Sequence, residues 1–388
     1  MANYIWSNAN RFYVATETSY GLPVPVVASN RFAAVRLACH QSVQNTGRRD
    51  KTGSRTYLGT ATTATRVSSF EINVNLTSWD DATAPGYGPL LQAAMGAPPE
   101  LVQGLVVATV NGAAMQTQAA HNLTAGSAVS NGVEIRFVKS VQDSLSFSLS
   151  LPFSNAPPTG TTLTTTVGYR FSTQLPSLSI YDYWDPPNAV SRLITGAGVD
   201  KFQIEVKGDV HGLYFTGPAA DVLDSSSGVF GVSGISAFPA EPPLSGFEYS
   251  TVAGQLGQVW LGSPLNQVFT LTEADIEVNN NLLTRNHEFG SSYPMAIVPG
   301  PREVLSTFTL LAQADPATTS LYGAAKTRKP VSALLQLGQQ QGQMMAVYLP
   351  GVVPEMPFYN DAERYLFWTL KNNLAQGKSN DETFIAFA

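Results

Sequence analysis

Apolar and polar residues alternate with a period of two along much of this chain. Within Val67–Thr77, Phe70, Ile72, Val74 and Leu76 alternate with Glu71, Asn73, Asn75 and Thr77. Phe202, Ile204 and Val206 alternate in the same way with Gln203, Glu205 and Lys207. Successive side chains of a strand point to opposite faces, so such segments predict half-buried strands. One face packs, and the other is wet or meets a partner. Further strands are predicted at Phe32–Ser42, Phe269–Val278, Val304–Leu311, Met344–Leu349 and Tyr365–Leu370. Helical patterning is confined to Gly88–Met95, with Pro89 in its first turn, and Pro316–Lys326, with Asp315 as N-cap. The fold class expected is mainly β.

The order of these elements repeats. Leu58-Gly59, a Thr/Ala-rich segment, the strand Val67–Thr77, Trp79-Asp80-Asp81 and a helix ending Gln92-Ala93-Ala94-Met95 form one series. Phe289-Gly290, a Pro/Ser-rich segment, the strand Val304–Leu311, Ala314-Asp315-Pro316 and Tyr322-Gly323-Ala324-Ala325-Lys326 form another. Gly290 follows Gly59 by 231 residues (290 − 59), and Phe269 follows Phe32 by 237 (269 − 32). This spacing predicts a duplicated unit, the first over 1–98 and 166–225 and the second over 244–388, with 226–243 as linker. Residues 99–165 read as a small inserted β-domain with strands Leu105–Val110, Val133–Lys139 and Leu145–Leu151, and a turn at Ala120–Gly126.

Charge changes the picture. Charged residues make up 13% of the 388, about half the usual share of roughly 25%. A surface largely covered by copies of the same chain has less need of charge, because charged groups are depleted from interface cores; a polar surface rich in Thr, Ser, Asn and Gln is the other reading. The net charge of −6 argues against a protein that grips nucleic acid by its phosphates. Much of the scarce positive charge sits in two long loops, Asn45–Arg66 and Asn279–Arg302: Arg48, Arg49, Lys51, Arg55 and Arg66 in one, Arg285, His287 and Arg302 in the other. Such loops are either solvated or arms that reach a neighbouring subunit. Cys39 is the single cysteine, so an intrachain disulfide and a thiolate metal cage are both excluded. The N-terminus has no secretory pattern, and no apolar run approaches membrane-spanning length, so a cytoplasmic protein without membrane insertion is expected.

Catalytic signatures are weak. Gly377-Lys378-Ser379 has the tail of a phosphate-binding loop, but Asn372 stands where the first glycine belongs. Gly196-Ala197-Gly198 lacks a third glycine, and no Gly-x-Ser-x-Gly elbow occurs. His40, His121, His211 and His287 are dispersed without ligand spacing. Trp79-Asp80-Asp81 and Tyr181-Asp182-Tyr183-Trp184-Asp185 combine rings and carboxylates, as sugar sites do, but neighbours on a strand face opposite ways. Asp81 and Asp315 are read as caps of the two helices. No enzyme, cofactor or metal site is expected.

The order of long loop, strand Phe70–Leu76, helix Gly88-Pro89-Leu90-Leu91-Gln92-Ala93-Ala94 and ending Asp381-Glu382-Thr383-Phe384-Ile385-Ala386-Phe387-Ala388 resembles the tail tube proteins of long-tailed bacteriophages. Phe308–Leu337, with Tyr322-Gly323-Ala324-Ala325, is similar to the same family's core in a second copy, and the segment around Ala120–Gly126 resembles small β-modules of phage structural proteins. The resemblance implies two β-sandwich, barrel-forming units, each flanked by a helix. It further implies edge-to-edge pairing around a ring, a channel that conducts double-stranded DNA without specific binding, and stacking into a tube. A duplicated chain makes a homotrimer ring with pseudo-sixfold symmetry; a hexamer ring is the alternative. Implied partners are a tape measure protein, a tail terminator and baseplate or tail-tip proteins. The implied location is the virion tail, assembled in the host cytoplasm. Glu71, Asn73, Asn75, Gln203 and Glu205 are then candidates for the channel face, and the loop cations Arg48, Arg49, Lys51, Arg55, Arg66, Arg285, His287 and Arg302 for contacts between rings. The alternative is a β-rich virion protein for receptor binding or decoration.

Overall fold

A computed structural model describes residues 4–388 except 45–49, 57–58, 60–64, 80–83, 187–188, 227–236, 245–249, 287 and 363. The fold is mainly β, with two α-helices among the described residues. The chain opens with β1 (Asn10–Thr16), β2 (Arg31–Phe32), β3 (Arg36–Gln44), β4 (Thr65–Asn75) and α1 (Gly88–Met95). There follow β5 (Glu100–Val102), β6 (Val107–Asn111), β7 (Ala114–Thr117), β8 (Ala128–Ser130), β9 (Ile135–Val141), β10 (Ser146–Leu149) and β11 (Thr166–Arg170). Next come β12 (Leu178–Trp184), β13 (Arg192–Ala197), β14 (Lys201–Val206), β15 (Gly212–Ala219) and β16 (Asp221–Asp224). The last stretch holds β17 (Gly257–Gly262), β18 (Asn266–Gln267), β19 (Leu271–Asn279), β20 (Leu283–Thr284), β21 (Ile297–Val298) and β22 (Glu303–Leu311). It ends with α2 (Pro316–Thr327), β23 (Val331–Leu337), β24 (Met345–Val353), β25 (Phe358–Asn360), β26 (Phe367–Ala375) and β27 (Phe384–Phe387).

Antiparallel pairing arranges these strands twice in one pattern. In the first unit, an outer sheet runs β16-β13-β12-β1-β2 and an inner one β3-β4-β15-β14. In the second, the outer order is β27-β24-β23-β17-β18 and the inner one β19-β22-β26-β25. Taken in chain order, the strands of each unit fall at the same places in both sheets. The helices match too, α1 lying against β1 and α2 against β17. One backbone bond recurs: Leu76 N–H donates to His211 O in the first unit and Ala312 N–H to Leu366 O in the second, both at 2.9 Å.

The two inner sheets are one sheet. β14 pairs with β19 over six residues, Lys201 opposite Asn279 through Val206 opposite Ala274. Eight strands therefore run without a break, β3-β4-β15-β14-β19-β22-β26-β25. Their buried side chains, among them Phe70, Ile72, Phe202, Ile204, Phe215, Ile276 and Phe308, pack against the inward faces of the outer sheets in one shared core. Period-2 alternation arises here because one face of the sheet is packed and the other is not.

The inserted segment folds as a sheet, β6-β7-β10-β9-β8, around its own core of Val107, Met115, Val138, Phe147 and Leu149. It lies on the outer side of the second unit. Ile135 and Phe137 pack against Trp260, Leu334, Ala346, Tyr348 and Phe384, side chains on the face of the outer sheet turned away from the shared core. Each large apolar side chain so covered contributes about 2 kcal/mol. The approach is close: at Gly126, where φ is +89°, a Cβ would sit 2.1 Å from the Phe384 ring.

The structure departs from the sequence reading in two places. Strands of the first unit resume at β12, not near Tyr169, because β11 pairs with β27 and β5 and so extends the second unit's outer sheet. The N-cap of α1 is Tyr87, without a side-chain cap bond; Asp81 lies outside the described residues and six positions upstream. Asp315 does cap α2, accepting from Ala317 N and Thr318 N. The long loop from Asn279 to Arg302 holds one short pair, β20 with β21.

Candidate assembly surfaces

The face of the eight-stranded sheet turned away from the core is polar at its centre, and strand register sets its rows. Glu71, Thr216, Lys201 and Asn279 form one row across four strands; Asn73, Tyr214, Gln203 and Glu277 the next; Asn75, Gly212, Glu205 and Asp275 a third. The residues read from sequence as one face, Glu71, Asn73, Asn75, Gln203 and Glu205, do share one face. Beyond Glu273, Asp275 and Glu277 the surface becomes less charged, passing through Leu305, Thr307 and Thr309 to Thr369 and Leu374.

Carboxylates dominate that centre, and its lysines are paired. Lys201 Nζ lies 2.6 Å from Glu277 Oε2, and Lys207 Nζ 2.5 Å from Glu205 Oε1. Tyr214 donates to Glu205 at 2.9 Å, and Gln203 donates to Asp275. Burial works to raise the Glu205 carboxyl, but hydrogen bonds from Lys207 and Tyr214 hold it below the usual range. Asp275 goes the other way: burial raises it, and the charges of Glu277 and Glu205 add to the rise against the Gln203 bond. Crowded acids and paired lysines leave the centre little to attract a phosphate, while exposed Arg36, opposite Asn73, and Lys371, over the Phe358 ring, put cations nearer the two ends of the same face.

Of the five loop cations among the described residues, three are engaged within the chain. Arg66 lies in β4, pairs with Asp221 at 3.1 Å, and its backbone N–H donates to Ser292 O. Arg285 pairs with Glu288. Arg302 reaches Glu382 at 2.9 Å and lies 3.6 Å from the Phe171 ring centroid, so it ties the second unit to the segment after β11. These three are therefore not free arms, because each carries a local carboxylate. Lys51 and Arg55 are exposed, whereas Arg48, Arg49 and His287 lie outside the described residues. The second loop also packs sideways on the first unit: Leu282 N–H donates to Asp200, and Asn280 Nδ2 donates to Ala94 O and Val199 O.

Among the described residues, two edges of the eight-stranded sheet remain open. β3 pairs with β4 alone and β25 with β26 alone. Each edge carries exposed apolar residues: Val35 and Val43 flank or belong to β3, whose other exposed residues are polar, and Phe358 and Tyr359 belong to β25. Open edges, with their unpaired backbone groups, are templates for pairing with another chain. The strand β25 was not predicted from sequence. Three residues are too few to alternate, and Pro357 before it was the one boundary signal.

Other sequence features are taken up by packing. In β12, Tyr181 and Tyr183 are buried and donate to Val24 O and Ala240 O. Asp182 accepts from Arg192, and Asp185 pairs with Arg11 at 2.5 Å. The Cys39 thiol, pushed up by burial, accepts from Arg192 at 3.3 Å. His121 is buried, and its Nδ1 accepts from Leu123 N. His211 is fully buried, neither ring nitrogen has a hydrogen-bond partner among the described residues, and burial pushes it down to about 4. Among the described residues no three His, Cys, Asp or Glu side chains converge as metal ligands, and no helix is long and apolar enough to cross a membrane. Set against known proteins, no family model matches the chain, and no curated protein matches its sequence.

Proposed function

We propose that this chain is the structural subunit of a hollow tube that conducts double-stranded DNA, a tail tube protein of a phage-like particle, and that three copies close one ring. The observation that carries the reading is the junction of β14 with β19. There the last strand of one inner sheet joins the first strand of the next, and the same two kinds of edge are left open at β25 and β3. A contact made once within the chain can be repeated between chains, head to tail, until the sheet closes.

Strand count favours three copies. Eight strands per chain give 24 in a trimer. With neighbours about 4.8 Å apart and a tilt of about 40°, the wall measures about 150 Å around and about 48 Å across. Barrels of 16 to 18 strands already enclose an aqueous channel. Closure removes the exposed edges. The polar face becomes the lining, its acids repelling phosphates while Lys201 and Lys207 are held by Glu277 and Glu205. The inserted domain, beyond the outer sheet, lies on the side away from that lining. Chemistry here is passage, with no bond made or broken.

Electron microscopy of the concentrated protein tests the proposal: rings or hollow tubes are expected, and compact monomers at every concentration overturn it. The double variant Val43→Lys, Phe358→Lys is expected to stay monomeric with unchanged circular dichroism, because charge on an edge blocks pairing.

A further inference from the structure

The repeat within the chain specifies the contact between chains in more detail than strand pairing alone. The shared bond, Leu76 to His211 and Ala312 to Leu366, sets β22 at 236 residues after β4 (312 − 76) and β26 at 155 after β15 (366 − 211). Pairing of each with its neighbour then sets β19 at 237 after β3, since Asn279 opposite Glu303 and Arg36 opposite Asn73 give 582 − 109 − 236. In the same way β25 stands 155 after β14, since Phe358 opposite Thr369 and Lys201 opposite Thr216 give 727 − 417 − 155. Across the internal junction Gln203 faces Glu277. The equivalent pair is residue 358 (203 + 155) and residue 40 (277 − 237), which are Phe358 and His40. Both sit on the polar face, His40 opposite Ser69 in the Glu71 register and Phe358 opposite Thr369.

A second element travels with this junction. Thr251–Gly254, just before β17, closes over the β14–β15 turn: Val252 N–H donates to Leu76 O, Gly254 N–H donates to Asp209 O, and Val210 bridges Ala253. The fit is tight, since a Cβ on Gly254 would lie 2.2 Å from Lys207 O. Val252 is buried, and so is His211 beneath it. These residues stand three to six positions before the strand (257 − 254, 257 − 251), and the same positions before β1 are Tyr4–Ser7 (10 − 6, 10 − 3). There the cover lacks its floor. Tyr4 is 87% and Trp6 76% exposed, while at the β25–β26 turn Tyr365 is 69% exposed and Leu366, the counterpart of His211, is 38% exposed.

We infer that the seam between copies repeats the internal junction residue for residue: β25 of one copy pairs with β3 of the next, Phe358 opposite His40, and Tyr4–Ser7 of the next copy covers Tyr365 and Leu366. The partner is a second copy of this chain. The inference rests on the ring reading and adds to it a register and an N-terminal clasp. Two exposed apolar patches, one at each edge, become each other's cover.

Cysteine pairing reads the register. In a Cys39→Ser background, His40→Cys with Phe358→Cys is expected to give, on mild oxidation, covalent species ending at a trimer, because three links close the ring. Gln41→Cys with Phe358→Cys places the thiols on opposite faces and should give none. Trp6→Ala with Tyr365→Ala should raise the concentration at which rings form by about tenfold or more, as loss of buried aromatic anchors does. Rings that form at the original concentration after both alanine changes, or that link through Gln41 and not His40, overturn the seam and leave the tube standing. Absence of rings from the unaltered chain overturns both.

Discussion

The two units share a topology but differ in what covers their outer sheets. In the second unit the cover is a folded domain. Arg136, fully buried, pairs with Glu134 at 2.9 Å and stacks 4.5 Å over Trp260, while Gln336 binds Ile135 N and Val133 O. In the first unit the cover is a strap from the linker. Phe238 meets the Tyr183 ring edge-on at 5.9 Å, and Glu241 accepts from Arg11 at 2.6 Å and Tyr13 at 2.9 Å. A sheet face lined by Tyr13, Tyr181, Tyr183, Leu193 and Leu223 needs shielding from water as much as one lined by Leu334 and Tyr348. The repeat therefore dictates that a cover is needed, and the neighbouring chain segment dictates which one.

The difference is best broken at the second unit. Arg136→Ala leaves Glu134 buried without its cation and should cost about 3–5 kcal/mol, read from the denaturant midpoint. Early proteolysis within 99–165 should accompany it. Next in size is His211 under the internal clasp. Unfolded, its imidazole takes a proton as pH falls below the ordinary value near 6.5; folded, only near 4. Its contribution is therefore full above about 6.5 and is lost as pH falls towards 4, by up to about 3 kcal/mol at 1.36 per unit. A flatter stability profile over that window in His211→Leu checks the assignment, and an unchanged slope refutes it. Glu241→Ala releases the strap by removing three charge-assisted bonds, two from Arg11 and one from Tyr13, and should cost about 2 kcal/mol. Exposure of the Tyr183 and Tyr181 rings to quenchers would report it. Smallest is the contrast between helices. Asp315→Ala removes the α2 cap at about 1 kcal/mol, whereas Tyr87 supplies no such bond to α1. Thr318 and the first-turn amides hold Asp315 below its usual range, so this contribution fades as pH falls below about 3.8.

Legibility followed solvent exposure. α1 was read to the residue and α2 within one, because Pro at the first turn and an aspartate cap are local signals. The inner strands β4, β14, β19 and β22 were legible from alternation, and the face carrying Glu71, Asn73, Asn75, Gln203 and Glu205 came with them. Outer strands were harder. β12 reads Leu178–Trp184 with six of seven residues buried, and β23 is equally covered, so no alternation marks them; β24, with seven of nine buried, was read only over Met344–Leu349. Sheets packed on both faces lose the period-2 signal. Among the loop cations, Arg66 and Arg302 looked free because their partners, Asp221 and Glu382, stand 155 and 80 residues away.

By itself the sequence determined that the chain is β-rich, where its one-face-buried strands lie, where two short helices begin, and that its charge is low and acidic. Those properties are local: each depends on a residue and neighbours two to four positions off. Only the tertiary structure decided that β14 meets β19, that β11 leaves the first unit for β27, and that β3 and β25 are the edges left open. Strand pairing joins residues scores of positions apart through backbone groups that every residue carries alike, so no side-chain pattern along the chain records the partner.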